Sequence, residues 1–266
     1  MTFSLALTLF LIGFAGSFIS GLVGIGGSII KYPMLLYIPA ALGLAAYTAH
    51  EVSGISAVQV FFATLSAVWA LRKDKLIHYQ LVLYMGSAIV VGSLVGGYGG
   101  KYLSADAINV VYAILATIAV LMMFMPKKAI DDKEMADIAF HKPTAVTSAL
   151  IVGAASGIVG AASGIVGAAG AFILVPIMLV VLKIPTRVTI ASSLAITFLS
   201  SIGATIGKLM AGDVLFWPSL IMVIASVLAA PLGTAVSKRL NTKSLQAILA
   251  LLILGTTIKI WTDLIM

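Results

Sequence analysis

Residues 20–27 read Ser20-Gly21-Leu22-Val23-Gly24-Ile25-Gly26-Gly27, and Pro33-Met34-Leu35-Leu36 follow. No charged side chain precedes Lys31. Glycine lowers the cost of leaving the helix, and proline removes a helical hydrogen bond. A Gly/Pro cluster inside a long apolar run therefore marks a break in a buried helix. The pattern returns in the second half of the chain as Ser163-Gly164-Ile165-Val166-Gly167-Ala168-Ala169-Gly170, followed by Pro176-Ile177-Met178-Leu179. Ser, Gly, Val, Gly, Gly and Pro coincide, while Ala169 stands where the first copy has Gly26. A second pair occurs in the same order. Gly96 and Lys101-Tyr102-Leu103 match Gly233 and Lys238-Arg239-Leu240. Two ordered matches indicate an internal duplication.

The setting of these motifs is a membrane. Of 266 residues, 61% are hydrophobic and 9% charged, and the mean hydropathy is +1.17. Sixteen Lys and Arg with nine Asp and Glu cannot cover a soluble globule of this size. The scattered basic residues form no nucleic-acid-binding face. With no cysteine, disulfide scaffolds, thiolate chemistry and Cys-ligated zinc are excluded. The uncharged opening stretch, from Met1 to Leu22, lacks the positive start of a signal peptide and reads as a first membrane segment.

Charges, Gly and Pro divide the chain into ten apolar segments, near 2–23, 27–46, 49–71, 77–100, 105–125, 144–167, 170–183, 187–210, 214–236 and 243–264. This predicts an all-α polytopic membrane protein. A first membrane repeat covers residues 1–125, a charged linker 126–143, and a second repeat 144–266. Five segments per repeat is odd, so the repeats are expected to have inverted topology. Alternate loops divide the basic residues twelve to three, with Arg72, Lys127, Arg187, Lys238 and their neighbours on the rich side and Lys101, Lys208 and Lys259 on the other. The positive-inside rule then puts both termini outside and the linker in the cytoplasm. The count is the same whether segments 1–2 and 6–7 cross the bilayer or re-enter it.

Matched Gly/Pro-interrupted segments in inverted halves point to a transporter's binding site near the midplane. Helix N-termini there favour anions. The candidate binding residues are Ser20, Gly24, Gly26, Gly27, Ser28 and Pro33 in the first half, with Ser163, Gly167, Gly170 and Pro176 in the second. Lys31 is a buried basic residue that would add positive charge, and its repeat position is Leu174. Ser192 and Ser193 fall opposite His50 and Glu51 in the repeat and would donate hydroxyls to an oxyanion or bond helix carbonyls. His50 and Glu51 form a candidate proton-coupling pair. Gln59 reads as interhelical glue. Gly153–Val159 repeats at once as Gly160–Val166, a small-residue stripe suited to close helix packing. The three histidines have no metal-ligand spacing, and no hydrolase elbow, Walker loop or zincin motif occurs. No metal, cofactor or catalytic set is expected.

The doubled Ser-Gly-x-x-Gly-x-Gly-Gly with its Pro-x-Leu resembles the sulfite exporter TauE/SafE family, also known as toluene sulfonate uptake permeases. The resemblance spans nearly the whole chain. It implies a bacterial or archaeal inner-membrane permease for sulfite, sulfoacetate or other sulfonates, working by alternating access. An anion channel of the same fold and a carboxylate transporter are the alternatives. The expected partners are a small anion and the lipid bilayer, with a homo-oligomer also open.

Overall fold

The computed structural model describes residues 2–24, 28–74, 76–124, 157–167, 171–181 and 184–241, together with scattered positions from 244 to 262. The charged linker at 126–143, and with it the boundary between the two expected repeats, lies outside the described residues. Every regular element among the described residues is helical. The elements are α1 (Phe3–Val23), α2 (Ser28–Ala41), α3 (Ala49–Leu71), α4 (Tyr79–Gly99) with a 3-10 turn at Gly100–Tyr102, and α5 (Ala105–Phe124). They continue with α6 (Gly157–Val166), α7 (Ala171–Pro176) running into a π turn at Ile177–Val181, α8 (Thr186–Ala211) and α9 (Phe216–Ser237). The described residues beyond 244 are helical too.

Helix starts follow local chemistry. The Thr2 hydroxyl caps α1 by accepting from the Leu5 N–H. Thr48 and Glu51 form a reciprocal capping box at α3. Among the described residues six helices are long and apolar enough to cross a bilayer, namely α1, α3, α4, α5, α8 and α9. At 14 residues, α2 would reach about 21 Å, short of a hydrocarbon core of about 30 Å. The protein is a multi-pass membrane protein.

Helix packing places α1 along α9 and α4 along α8, while α3 packs against both α8 and α9. Small residues bring the backbones together. A methyl group on Gly21 would strike the Ala230 carbonyl and the Thr234 N–H of α9. One on Gly164 of α6 would strike the Ser93 carbonyl and the Gly97 N–H of α4. Likewise Gly233 presses on Phe18, and Gly96 presses on Ala161. These contacts map onto each other when α6 is taken as the counterpart of α1, and α9 as the counterpart of α4, in the register of the sequence duplication.

The bundle has two distinct ends. At one, Asp74 Oδ2 lies 2.6 Å from Lys238 Nζ, and Arg187 donates to the Lys238 carbonyl at 3.3 Å. A cleft opens there, lined by Gly21, Leu71, Arg187, Ile190, Thr234 and Lys238. At the other end, the start of α3 meets the α8–α9 turn, where Gly54 abuts the Asp213 carbonyl. Helices α3 and α8 therefore run antiparallel between the two ends. Trp261 Nε1 donates to Thr117 Oγ1 at 2.9 Å, docking the C-terminal segment on α5.

Candidate functional site

Lys31 lies one turn into α2 and is fully buried. Its Nζ has no hydrogen-bond partner among the described residues. The side chain lies on α1 where Gly16 leaves room, since a methyl group there would overlap the Lys31 Cγ and Cδ. The helix repeat puts Ser20 one turn further along the same face of α1. Its hydroxyl is buried and also lacks a partner. Next to Lys31, Tyr32 stacks on Tyr112 of α5 with centroids 4.8 Å apart and donates to Asn109 Oδ1 at 2.8 Å. Those contacts fix α2 against α5 and leave the ammonium on the α1 side.

The same depth of α1 carries a second polar group. Gln59 Nε2 of α3 donates to Ser17 Oγ at 3.0 Å, Ser226 Oγ at 2.7 Å and the Gly13 carbonyl at 3.3 Å. Gln59 is interhelical glue, joining α1, α3 and α9. Its Oε1 and the neighbouring Ser56 hydroxyl are buried without partners. On α8, Thr197 and Ser200 are likewise buried with unpartnered hydroxyls, as is Ser163 on α6. Gly16 lies more than three turns into α1, about 20 Å from its start, so Lys31 reaches well into the membrane interior. Uncompensated polar atoms at that depth are costly.

The glycine breaks are arranged differently from the expected single clasp. Gly24 has φ 81° and Gly167 has φ 73°, so both carry left-handed backbone. Gly24 ends α1 against α8, where a methyl group would lie 2.8 Å from the Ile190 Cα. Gly167 ends α6 against the Ser53 carbonyl of α3, beside the α8–α9 turn. The two breaks thus lie toward opposite ends of α8, on the order of 25 Å apart along its axis. Because α1 is helical for 21 residues, its break falls at its far end and not at the midplane. Gly26, Gly27 and Gly170 lie outside the described residues. Ser28 opens α2, which runs helically through Pro33. Pro176 closes α7, where the backbone widens into the π turn. Both prolines are buried.

Two of the expected donors are already engaged. Ser193 Oγ donates to the Gly24 carbonyl at 2.8 Å and locks the break to α8. Ser192 Oγ accepts from the His78 N–H at 2.9 Å. The neighbours His50 and Glu51 have separate partners. Glu51 Oε2 accepts from the Thr48 N–H at 2.8 Å and from its hydroxyl. His50 Nδ1 instead lies 3.8 Å from Asp213 Oδ2. That oxygen is also 2.9 Å from the ammonium of Lys208, which is fully buried within α8 and not in a loop. Nothing in the sequence links Asp213 to a histidine in the other half of the chain. Among the described residues no group of His, Asp and Glu could hold a metal ion.

This chain matches the sulfite exporter TauE/SafE family over residues 9–260. It is 25% identical to a probable membrane transporter protein, YunE, of Bacillus subtilis (strain 168), covering 92% of this chain and 93% of that one. It is 23% identical to a probable membrane transporter protein of Xylella fastidiosa (strain Temecula1), over 96% and 94% of the two chains. No solved structure matches it. A match of that extent, on a helical chain with doubled glycine breaks and a buried lysine, places the chain in the sulfite exporter TauE/SafE family.

Proposed function

We propose that the protein is a secondary transporter for a small anion, with Lys31 as the charge that receives it. One observation carries this reading: a fully buried lysine Nζ with no partner among the described residues. Such a group is poorly tolerated in a membrane interior unless something pairs with it in the working cycle. Ser20, one turn from Gly16 on the face that Lys31 covers, supplies a donor to the same anion. Membership of a sulfite exporter family directs the substrate to sulfite or an organosulfonate.

The transport cycle in this reading is alternating access between two inverted repeats. The equivalence of the Gly21–Ala230 and Gly164–Ser93 contacts supports it, because each repeat grips the other through the same small residues. The cleft beside Arg187 and Lys238 offers an anion an approach toward Gly24 from the basic end. That end faces the cytoplasm of a bacterial or archaeal cell, with both termini outside, as the positive-inside rule requires.

The test is counterflow in liposomes holding the purified protein. Unlabelled sulfite or sulfonate inside should accelerate uptake of the labelled anion, and Lys31→Ala should abolish it. Flux without counterflow identifies a channel. Counterflow of carboxylates with none for sulfur anions removes the substrate assignment. Unchanged kinetics in Lys31→Ala removes the site.

A further inference from the structure

At the basic end of the bundle, Asp74 is the one carboxylate among the described residues. It faces an excess of base from Arg72, Lys73, Arg187, Lys238 and Arg239. The Arg72 guanidinium is turned onto the Trp69 ring, 4.3 Å from its centroid. Asp74 Oδ2 lies 2.6 Å from Lys238 Nζ. That oxygen is buried, yet the close contact is not aligned as a hydrogen bond. Both groups ride on helix ends. Asp74 follows α3, and its N–H donates to the Leu71 carbonyl at 3.0 Å. Lys238 caps α9, and its N–H donates to the Thr234 carbonyl at 3.3 Å. Their contact therefore ties the end of α3 to the end of α9, across the two halves of the chain. The opposite end is built differently. There Asp213 is held at 2.9 Å by Lys208 of its own half, and its contact across to His50 is longer, at 3.8 Å.

We propose that Lys238 is the entry site for the transported anion, and that Asp74 occupies it as a gate until an anion takes its place. Lys238 and Arg187 line the cleft at this end, together with Leu71 and Gly21. An anion drawn in by the surrounding bases meets the same ammonium that Asp74 covers. A half-exposed ion pair is weak enough for such an exchange. Displacement frees the end of α3 from α9 and widens the cleft. Its wall at Gly21 lies five residues from Gly16, or about 8 Å along α1. Gly16 is where the Lys31 side chain lies, so the anion passes from Lys238 to Lys31 by way of Ser20. This inference rests on the anion-transport reading above and adds an entry site and its gate to it.

The chain has no cysteine, so one introduced thiol reports on the cleft. Ser237 lines it and is buried, and Ser237→Cys is labelled with a membrane-impermeant maleimide in the absence of any transported anion. Asp74→Asn and Lys238→Gln should each speed labelling about two- to fivefold, as suits the loss of a half-exposed pair. Exchanging the two charges, Asp74→Lys with Lys238→Asp, should restore slow labelling. Sulfite counterflow in the same variants without the thiol then separates the two roles. Half-saturating sulfite should fall about two- to fivefold in Asp74→Asn, which removes the competitor, and rise in Lys238→Gln, which removes the site. A tie that is only structural would move both variants the same way. Unchanged labelling in both single variants, or half-saturation that moves in one direction in both, overturns the inference and leaves the transporter reading standing. If the native protein exchanges neither sulfite nor sulfoacetate, the anion-transport reading falls, and this inference with it.

Discussion

Lys208 Nζ and Asp213 Oδ2 lie 2.9 Å apart across the end of α8, and the ammonium is fully buried. The Asp213 backbone is fixed from a second direction, because Gly54 of α3 abuts the Asp213 carbonyl. Removing one partner of such a pair leaves a buried charge alone, which costs on the order of 3–5 kcal/mol, whereas an apolar replacement of both is often neutral. Asp213→Asn should therefore destabilise the protein by that amount. Lys208→Met in the same chain should recover most of it. Unfolding of the four proteins in mixed micelles, analysed as a double-mutant cycle, measures the coupling. An additive cycle would show that the pair is not a unit.

Glu51 offers a contrast, because its carboxylate serves the backbone. Accepting from the Thr48 N–H at 2.8 Å, it completes the capping box of α3. Glu51→Ala should cost about 0.5–2 kcal/mol of stability, the range for a lost helix cap. The shape of the transport pH profile should not change. His50→Ala alters a group that approaches Asp213, so any change in that profile belongs to this variant. Comparing proton-dependent uptake in the two variants separates a capping role from a coupling role.

These two sites show what the sequence could and could not reveal. Helix positions were legible because apolar length and chain punctuation are local properties. The segment read as 49–71 is α3, residue for residue, and 170–183 contains α7 and its π turn. Gln59 was legible as glue, since a lone amide in an apolar helix must find partners on its neighbours. The depth of the glycine breaks was not legible. It depends on how far α1 extends before Gly24, and a glycine motif alone does not set that register. The pairing of His50 with Asp213 was hidden for a different reason. A neighbour in sequence, Glu51, offered a ready partner, while the actual one is brought close only by the antiparallel packing of α3 on α8.

The amide of Gln59 ties three helices together through Ser17, Ser226 and the Gly13 carbonyl. Interhelical hydrogen bonds within membranes contribute about 0.6 kcal/mol each on average and up to about 1.7. Gln59→Leu should therefore destabilise by about 1–2 kcal/mol. Ser17 and Ser226 keep their mutual bond of 2.7 Å and limit the loss. Gln59→Glu should be worse, because it brings a carboxylate to a buried place shared with the Ser17–Ser226 pair. Melting in detergent ranks the two, and a Glu variant as stable as the native protein would argue that water reaches this depth.

Among the described residues four glycines adopt left-handed backbone, and they divide cleanly by surroundings. Gly43 and Gly212 have φ 66° and 81°, and a methyl group on either would meet nothing within 4 Å. Substitution by Ala there should cost only the backbone strain, about 1–2 kcal/mol. Gly24 and Gly167 add a steric clash to the same strain. A methyl on Gly24 would lie 2.8 Å from the Ile190 Cα and 2.9 Å from Ser193 Oγ, and one on Gly167 would overlap the Ser53 carbonyl. Overpacking of that kind costs about 1–3 kcal/mol more. Gly24→Ala and Gly167→Ala should therefore both fall well below Gly43→Ala and Gly212→Ala in melting temperature. Gly167→Ala should fall furthest, because its methyl would overlap the Ser53 carbonyl, whereas the nearest contact at Gly24 is 2.8 Å. A large loss at Gly24 with little at Gly167 would mean that the α6 break relaxes freely.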